Sequence, residues 1–167
     1  QLIARQAPRF VVEAPGAEPL SCFARSRLGA IVCGDRVRIA PLGRGEAVIE
    51  GVRPRVSLFH RSDGKREKPI AANVTQAIVV VAAVPRPNAE FIDCCLTALE
   101  HAGVKPLLVQ NKIDLDAPRT LKRELLARYE ALGYPVWELS AHASVDPLRP
   151  ALEGEACLLI EQSGVGK

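Results

Sequence analysis

The run "AIVVVAAV", residues 77–84, narrows the fold more than any other part of the chain. It has no polar alternation, and its β-branched residues favour an extended backbone. At eight residues it falls far short of the roughly 20 needed to span a bilayer. A strand that is apolar on both faces needs cover on both, which is the condition of a parallel sheet flanked by helices. The following residues fit that reading. In "AEFIDCCLTALEHAG", Phe91, Ile92, Cys95, Leu96, Leu99 and Ala102 recur at helical spacing, with Asn88 as N-cap and Gly103 as C-terminal stop. A further apolar strand, "KPLLVQ", comes next. "TLKRELLARYEALG" then repeats the helical period through Leu121, Leu125, Leu126, Tyr129 and Leu132 and stops at Gly133, before the strands "YPVWEL" and "ACLLI". Strands alternating with helices predict a parallel α/β sheet, with its ligand crevice at the carboxyl ends of the strands.

The first seventy or so residues read differently. The short runs "FVVEA", "LSCFARS", "DRVRIAPL", "EAVIEGV" and "RVSLF", separated by Gly, Pro and Asp turns, predict a small all-β barrel, of OB type or another small-barrel type. The polar, basic segment "HRSDGKREKPIAAN", His60 to Asn73, is read as the linker, giving domains 1–68 and 69–167. A net charge of +3 with no long basic run permits a nucleic-acid partner without requiring one. The five cysteines, Cys22, Cys33, Cys94, Cys95 and Cys157, form no C-x-x-C pair and have no His at ligand spacing, so they read as reduced thiols. With no membrane-length apolar stretch and no signal-peptide layout in "QLIARQAPRF", the cytoplasm is the expected compartment, with no membrane partner.

Three motifs sit at strand ends. "NKID" follows "PLLVQ" directly and supplies Asn111, Lys112 and Asp114. An ionised Asp114 can accept from both the ring imino group and the exocyclic amine of guanine, a donor pair that adenine lacks. Asn111 can tie the loop and meet the base edge, while the stem of Lys112 can cover the base plane. Chance alone gives N-K-x-D on the order of a few per cent of the time in such a chain, so a plain polar turn stays open at this point. "ELSAH" closes the next strand and puts Ser140 and Ala141 on the neighbouring loop, where the Ala141 amide can donate to the guanine carbonyl. "EQSGVGK" follows the last strand: Glu161, Gln162, Ser163, Gly164, Val165, Gly166 and Lys167. Its glycines let successive amides face a phosphate, and Lys167 adds a cation. The pattern G-x-x-x-x-G-K-[S/T] expects Gly where this chain has Glu161, and a hydroxyl residue after Lys167. A bland glycine turn is the competing reading, and an ATP-using P-loop protein with an incidental Asp114 is another.

The order, base motif then support motif then phosphate loop, is permuted relative to ordinary guanine-nucleotide switches. Here the chain resembles the circularly permuted GTPase family that assists maturation of the bacterial small ribosomal subunit, the RsgA type. The resemblance runs through "CGDRVRI", "PRVSLFHRSDGKREKPIAANVTQAIVVVAA", "NKIDL", "YEALGYPVWELSA" and "SGVGK".

That resemblance implies an amino-terminal all-β OB-type barrel contacting ribosomal RNA, followed by a circularly permuted, incomplete α/β P-loop GTPase domain. It implies GTP/GDP with Mg2+ as cofactors, the small ribosomal subunit and its rRNA as partners, and a monomer. Arg36, Arg38, Arg44, Arg53, Arg55, Lys65, Arg66 and Lys68 become RNA-contact candidates. Family members continue into a helix, switch segments and a Zn2+ domain, so the chain is expected to be the front part of a longer protein and to hydrolyse GTP poorly alone. No catalytic residue is assigned. A non-catalytic rRNA-binding module with a degenerate nucleotide pocket is the alternative.

Overall fold

Five strands build the amino-terminal sheet: β1 (Leu2–Gln6), β2 (Arg9–Val12), β3 (Leu20–Ala24), β4 (Val37–Gly43) and β5 (Glu46–Val52). They belong to a computed structural model that describes residues 1–6, 9–43, 45–62, 64, 67–115 and 122–166. The chain divides into two compact units, Gln1–Val74 and Thr75–Lys167.

In the first unit the strand order is β1-β2-β3-β5-β4, with β3 parallel to β5 and the other pairs antiparallel. The Leu2 amide donates to Asp35 O (2.9 Å), and Leu2 O accepts from the Gly34 amide (2.9 Å), which joins β1 to the chain just ahead of β4 and closes the sheet into a barrel. Leu2, Val12, Cys22, Ile31, Ala47 and Ile49 fill the interior. This is the OB-type barrel, with one change of membership. "RVSLF" is not its fifth strand; β1 is, drawn from the opening segment "LIARQ", whose polar second half breaks any strand alternation. Instead, β6 (Leu58–Ser62) pairs antiparallel with β7 (Glu67–Ala72), a strand formed within the segment read as a linker.

Backbone chemistry fastens that hairpin to the barrel. Cys33 bridges to Ala71, and the Ala72 amide donates to Cys33 O at 2.9 Å. Buried Asn73, in the left-handed region at φ +56°, accepts from the Val56 amide (2.9 Å) and donates to Gly34 O (2.9 Å). Gly34 itself has φ +90°, and a Cβ there would lie 1.8 Å from Ala72 O, so only glycine fits. Asp35, wholly buried, accepts from the Val32 amide (2.9 Å) and from Nε and Nη2 of Arg55 (2.7 and 2.8 Å). An ionised buried carboxylate is tolerated because three donors surround it.

The second unit contains β8 (Gln76–Ala82), α1 (Ala89–His101), β9 (Lys105–Asn111), β10 (Val136–Glu138) and β11 (Cys157–Glu161). The sheet order is β10-β9-β8-β11, every pair parallel. All seven residues of β8 are buried, as the apolar run requires. Asn88 caps α1 by accepting from the Glu90 amide (3.0 Å), and Gly103 follows the helix at φ +65°. The helix after β9 departs from a regular one: a π-helical turn, Lys122–Leu126, runs into an α-helical segment, Ala127–Ala131. Leu125, Leu126 and Tyr129 are buried as expected, whereas Leu132 is 73% exposed because the helix ends before it. Leu121 lies outside the described residues. A 3-10 turn, Asp146–Leu148, leading into a short helix, Arg149–Leu152, has no counterpart in the sequence reading, since Pro147 and Pro150 suggest a loop. Both prolines sit in first-turn positions, where a missing amide costs nothing.

Candidate nucleotide-binding site

Because the four strands are parallel, their carboxyl ends lie along one edge of the sheet. The three motifs meet there, and Asn111 joins them. Its side chain, 4% exposed, donates through Nδ2 to Val165 O (3.0 Å) and Gly166 O (3.1 Å), and its Oδ1 accepts from the Ala141 amide (2.8 Å). One buried carboxamide thus holds the "NKID", "SA" and "SGVGK" loops together. Lys112, in the left-handed region at φ +63°, donates from Nζ to Val84 O (3.1 Å) and Gly164 O (2.6 Å). Two side chains of the "NKID" motif therefore grip the carbonyls of Gly164, Val165 and Gly166 in the "SGVGK" loop.

Asp114 is exposed, and its carboxyl is held below the ordinary carboxylate range. The hydrogen bond from the Ser140 hydroxyl is the main cause, with its own backbone amide next and the nearby positive charges of His142 and Lys112 adding less. Ser140 is buried and anchors its loop, its carbonyl accepting from the Ala143 and Ser144 amides (3.0 and 2.9 Å). Asn111, Lys112, Asp114, Leu115, Ser140, Ala141, His142 and Gly166 line a cleft of ≈ 470 Å³. Its volume suits a purine nucleoside.

The phosphate loop begins where β11 ends. Val165 is wholly buried in the core that also holds Ile78, Val80 and Val109, which pins the centre of the loop. Gly164 and Gly166 flank it at φ +90° and +87°, a conformation L side chains rarely adopt. A further hollow of ≈ 410 Å³, lined by Glu161, Ser163, Gly164 and Gly166, shares Gly166 with the first. Gln162 is partly buried and its carbonyl accepts from the Val165 amide at 3.4 Å. Lys167 lies outside the described residues.

The Ala141 amide, expected to face a guanine carbonyl, donates to Asn111 instead. The sequence reading also passed over the Val84 carbonyl, Leu115 and His142. Only His142 carried a signal, its position directly after Ser140 and Ala141.

Among the RNA candidates, Arg36, Arg38 and Arg53 are exposed on the first unit, as is Lys68. Arg55 is not available in the same way: it grips Asp35 and donates to Ala30 O (2.7 Å). Arg44, Lys65 and Arg66 lie outside the described residues. Among the described residues no three His, Cys, Asp or Glu side chains gather as a metal-ligand set, and no helix is long and apolar enough to cross a membrane.

A parallel sheet whose strand ends carry "NKID", then "SA", then "SGVGK", preceded in sequence by an OB-type barrel, has the motif order of a circularly permuted P-loop fold. Comparison with known proteins takes this further. The model of a family described as RsgA GTPase matches residues 52–167. The small ribosomal subunit biogenesis GTPase RsgA of Nitrosomonas europaea is 46% identical over 170 residues, covering 100% of this chain and 54% of the relative. Its namesake from Neisseria meningitidis serogroup C is 44% identical over 168 residues, with the same coverage. The crystal structure of YjeQ from Thermotoga maritima matches with a TM-score of 0.77 at 31% identity, over 99% of this chain and 60% of that one. That of YloQ, a circularly permuted GTPase, matches with a TM-score of 0.72 at 24% identity over the same shares, a likeness of fold. The chain belongs to the RsgA GTPase family. It spans about half the length of the curated relatives it matches.

Proposed function

We propose that the second unit binds guanine nucleotides and that the longer protein hydrolyses GTP while assisting maturation of the small ribosomal subunit in the cytoplasm. The observation that carries this reading is the Asn111 junction, because a single side chain bonded to all three loops gives them a reason to be built as one site. Asp114, kept ionised by Ser140, faces the cleft as the acceptor for the guanine imino and amino groups. Asn111, Lys112, Ser140 and Ala141 shape that cleft. Glu161 to Lys167 would wrap the phosphates, and the phosphate oxygens would carry Mg2+, which neutralises charge in phosphoryl transfer. Residues 1–68 would contact rRNA through exposed Arg36, Arg38 and Arg53, with Lys65 and Arg66 as further candidates and Arg55 retained as an internal brace. The protein acts as a monomer.

Asp114→Asn tests the base assignment. The variant should lose GDP affinity by about tenfold or more relative to ADP, because the carboxamide cannot accept from both guanine donors. Unchanged selectivity would remove Asp114 from the base site.

A further inference from the structure

The pattern G-x-x-x-x-G-K opens on a glycine, and this chain opens it on Glu161. That residue is the last of β11, and the pairing with β8 fixes where it stands. The two strands run parallel, with Leu159 opposite Ile78 and Glu161 opposite Val80. Paired residues of neighbouring strands point to the same face of a sheet, and successive residues alternate between faces. Glu161 therefore shares a face with Ile78 and Val80, and that face carries the core in which Val165 is buried. The "SGVGK" loop leaves β11 and turns back over the side of the sheet on which Glu161 stands. Glu161 also lines the ≈ 410 Å³ hollow together with Ser163, Gly164 and Gly166, and its Oε2 is closed off from solvent. A carboxylate oxygen held out of water is screened weakly, so an anion beside the same loop feels its charge strongly.

We propose that Glu161 is a charge filter on the nucleotide's phosphate chain: its carboxylate opposes binding in proportion to phosphate charge, and so sets the discrimination between mono-, di- and triphosphate. The inference rests on reading the second unit as a guanine-nucleotide site. GTP carries the most charge, GDP less and GMP least, so the opposition is graded in that order. A divalent cation on the phosphates would lower their charge and with it the opposition. Charge is separable from bulk at this position, because glutamine keeps the size of the side chain and glycine removes both.

The experiment is isothermal titration of the full chain with GTP, GDP, GMP and ADP, in EDTA and in Mg2+, for the wild type, Glu161→Gln and Glu161→Gly. In EDTA, Glu161→Gln should bind GTP about tenfold, GDP about fivefold and GMP about twofold more tightly than the wild type, the grading expected of one like charge at short range. Mg2+ should shrink those gains. Glu161→Gly should gain at least as much as Glu161→Gln. Equal gains for all three guanine nucleotides in Glu161→Gln, no gain, or weaker binding overturns the charge filter. A gain confined to Glu161→Gly overturns it too, because bulk is then the obstacle. In each of these cases the guanine reading stands as long as GDP binds more tightly than ADP. GDP binding no tighter than ADP, or no nucleotide bound by any of the three proteins, overturns that reading and the filter with it.

Discussion

Asn73 of the first unit and Asn111 of the other are locally similar. Each is a buried asparagine at or just past the carboxyl end of a strand, and each uses both ends of its carboxamide on backbone groups far away in sequence. Their surroundings differ. Asn73 joins the Val56 amide to Gly34 O within a packed junction that leaves no room even for a methyl group at Gly34. Asn111 joins three loops around an open cleft, with Asp114, Ser140 and His142 on its wall. A buried carboxamide is thus a structural fastener in both places, and it becomes part of a site only where the fastened loops also present unsatisfied chemistry to solvent. Burial and bonding alone do not separate the two.

Gly34→Ala strikes the Asn73 junction hardest. The added carbon would collide with Ala72 O at 1.8 Å in a left-handed backbone, so the first unit should lose at least about 3 kcal/mol of stability. Urea unfolding followed on the first unit measures the loss, and a stability equal to wild type would show that the hairpin is not seated on Gly34. Arg55→Ala should come next, at about 2–4 kcal/mol, because it strands the wholly buried Asp35 without its ion-pair partner. By contrast, alanine at exposed Arg36 or Arg53 should change stability by no more than about 0.5 kcal/mol while weakening RNA binding. An Arg55→Ala variant as stable as these two would return Arg55 to the RNA candidates.

The smallest effect concerns Asp114. Its folded pKa lies below the ordinary value, so its charge, and any binding that depends on it, persists as the pH falls through the usual carboxylate range and is lost only as the pH passes below the depressed value. Removing the Ser140 hydroxyl in Ser140→Ala takes away the leading cause of that depression. The acid limb of GDP binding should therefore move to higher pH, toward the ordinary Asp value, with little change at pH 7. An acid limb in the same place for both proteins would show that the hydroxyl does not act on Asp114.

The two units were not equally legible in the sequence. In the second unit, the continuous apolar β8, the capped and stopped α1 and the strand-end position of each motif all derive from short-range patterns. The first unit depends on long-range pairing. β1 carries only a short apolar start in its sequence, and only closure against Gly34 and Asp35 makes it a barrel strand. β7 lies in the segment that reads as a polar, basic linker, yet it pairs with β6, its near neighbour in sequence. The Arg55–Asp35 pair spans 20 residues, and Arg55 passes for an ordinary surface arginine until the fold brings it home. Within the site, residue types were legible but hydrogen-bond partners were not: nothing in "ELSAH" shows that the Ala141 amide is already taken by Asn111.

Whether the Asn111 junction builds a guanine site, and its counterpart at Asn73 does not, is decided by an equilibrium titration with fluorescent GDP, competed by GTP, GDP and ATP. The proteins are the wild type, Asn111→Ala and Asn73→Ala, with folding of each followed by circular dichroism. Wild-type binding should be displaced by GTP and GDP but not by ATP, remain unchanged in Asn73→Ala and be lost in a folded Asn111→Ala protein. Binding in Asn111→Ala equal to wild type, or displacement by ATP as readily as by GTP, would contradict the guanine assignment.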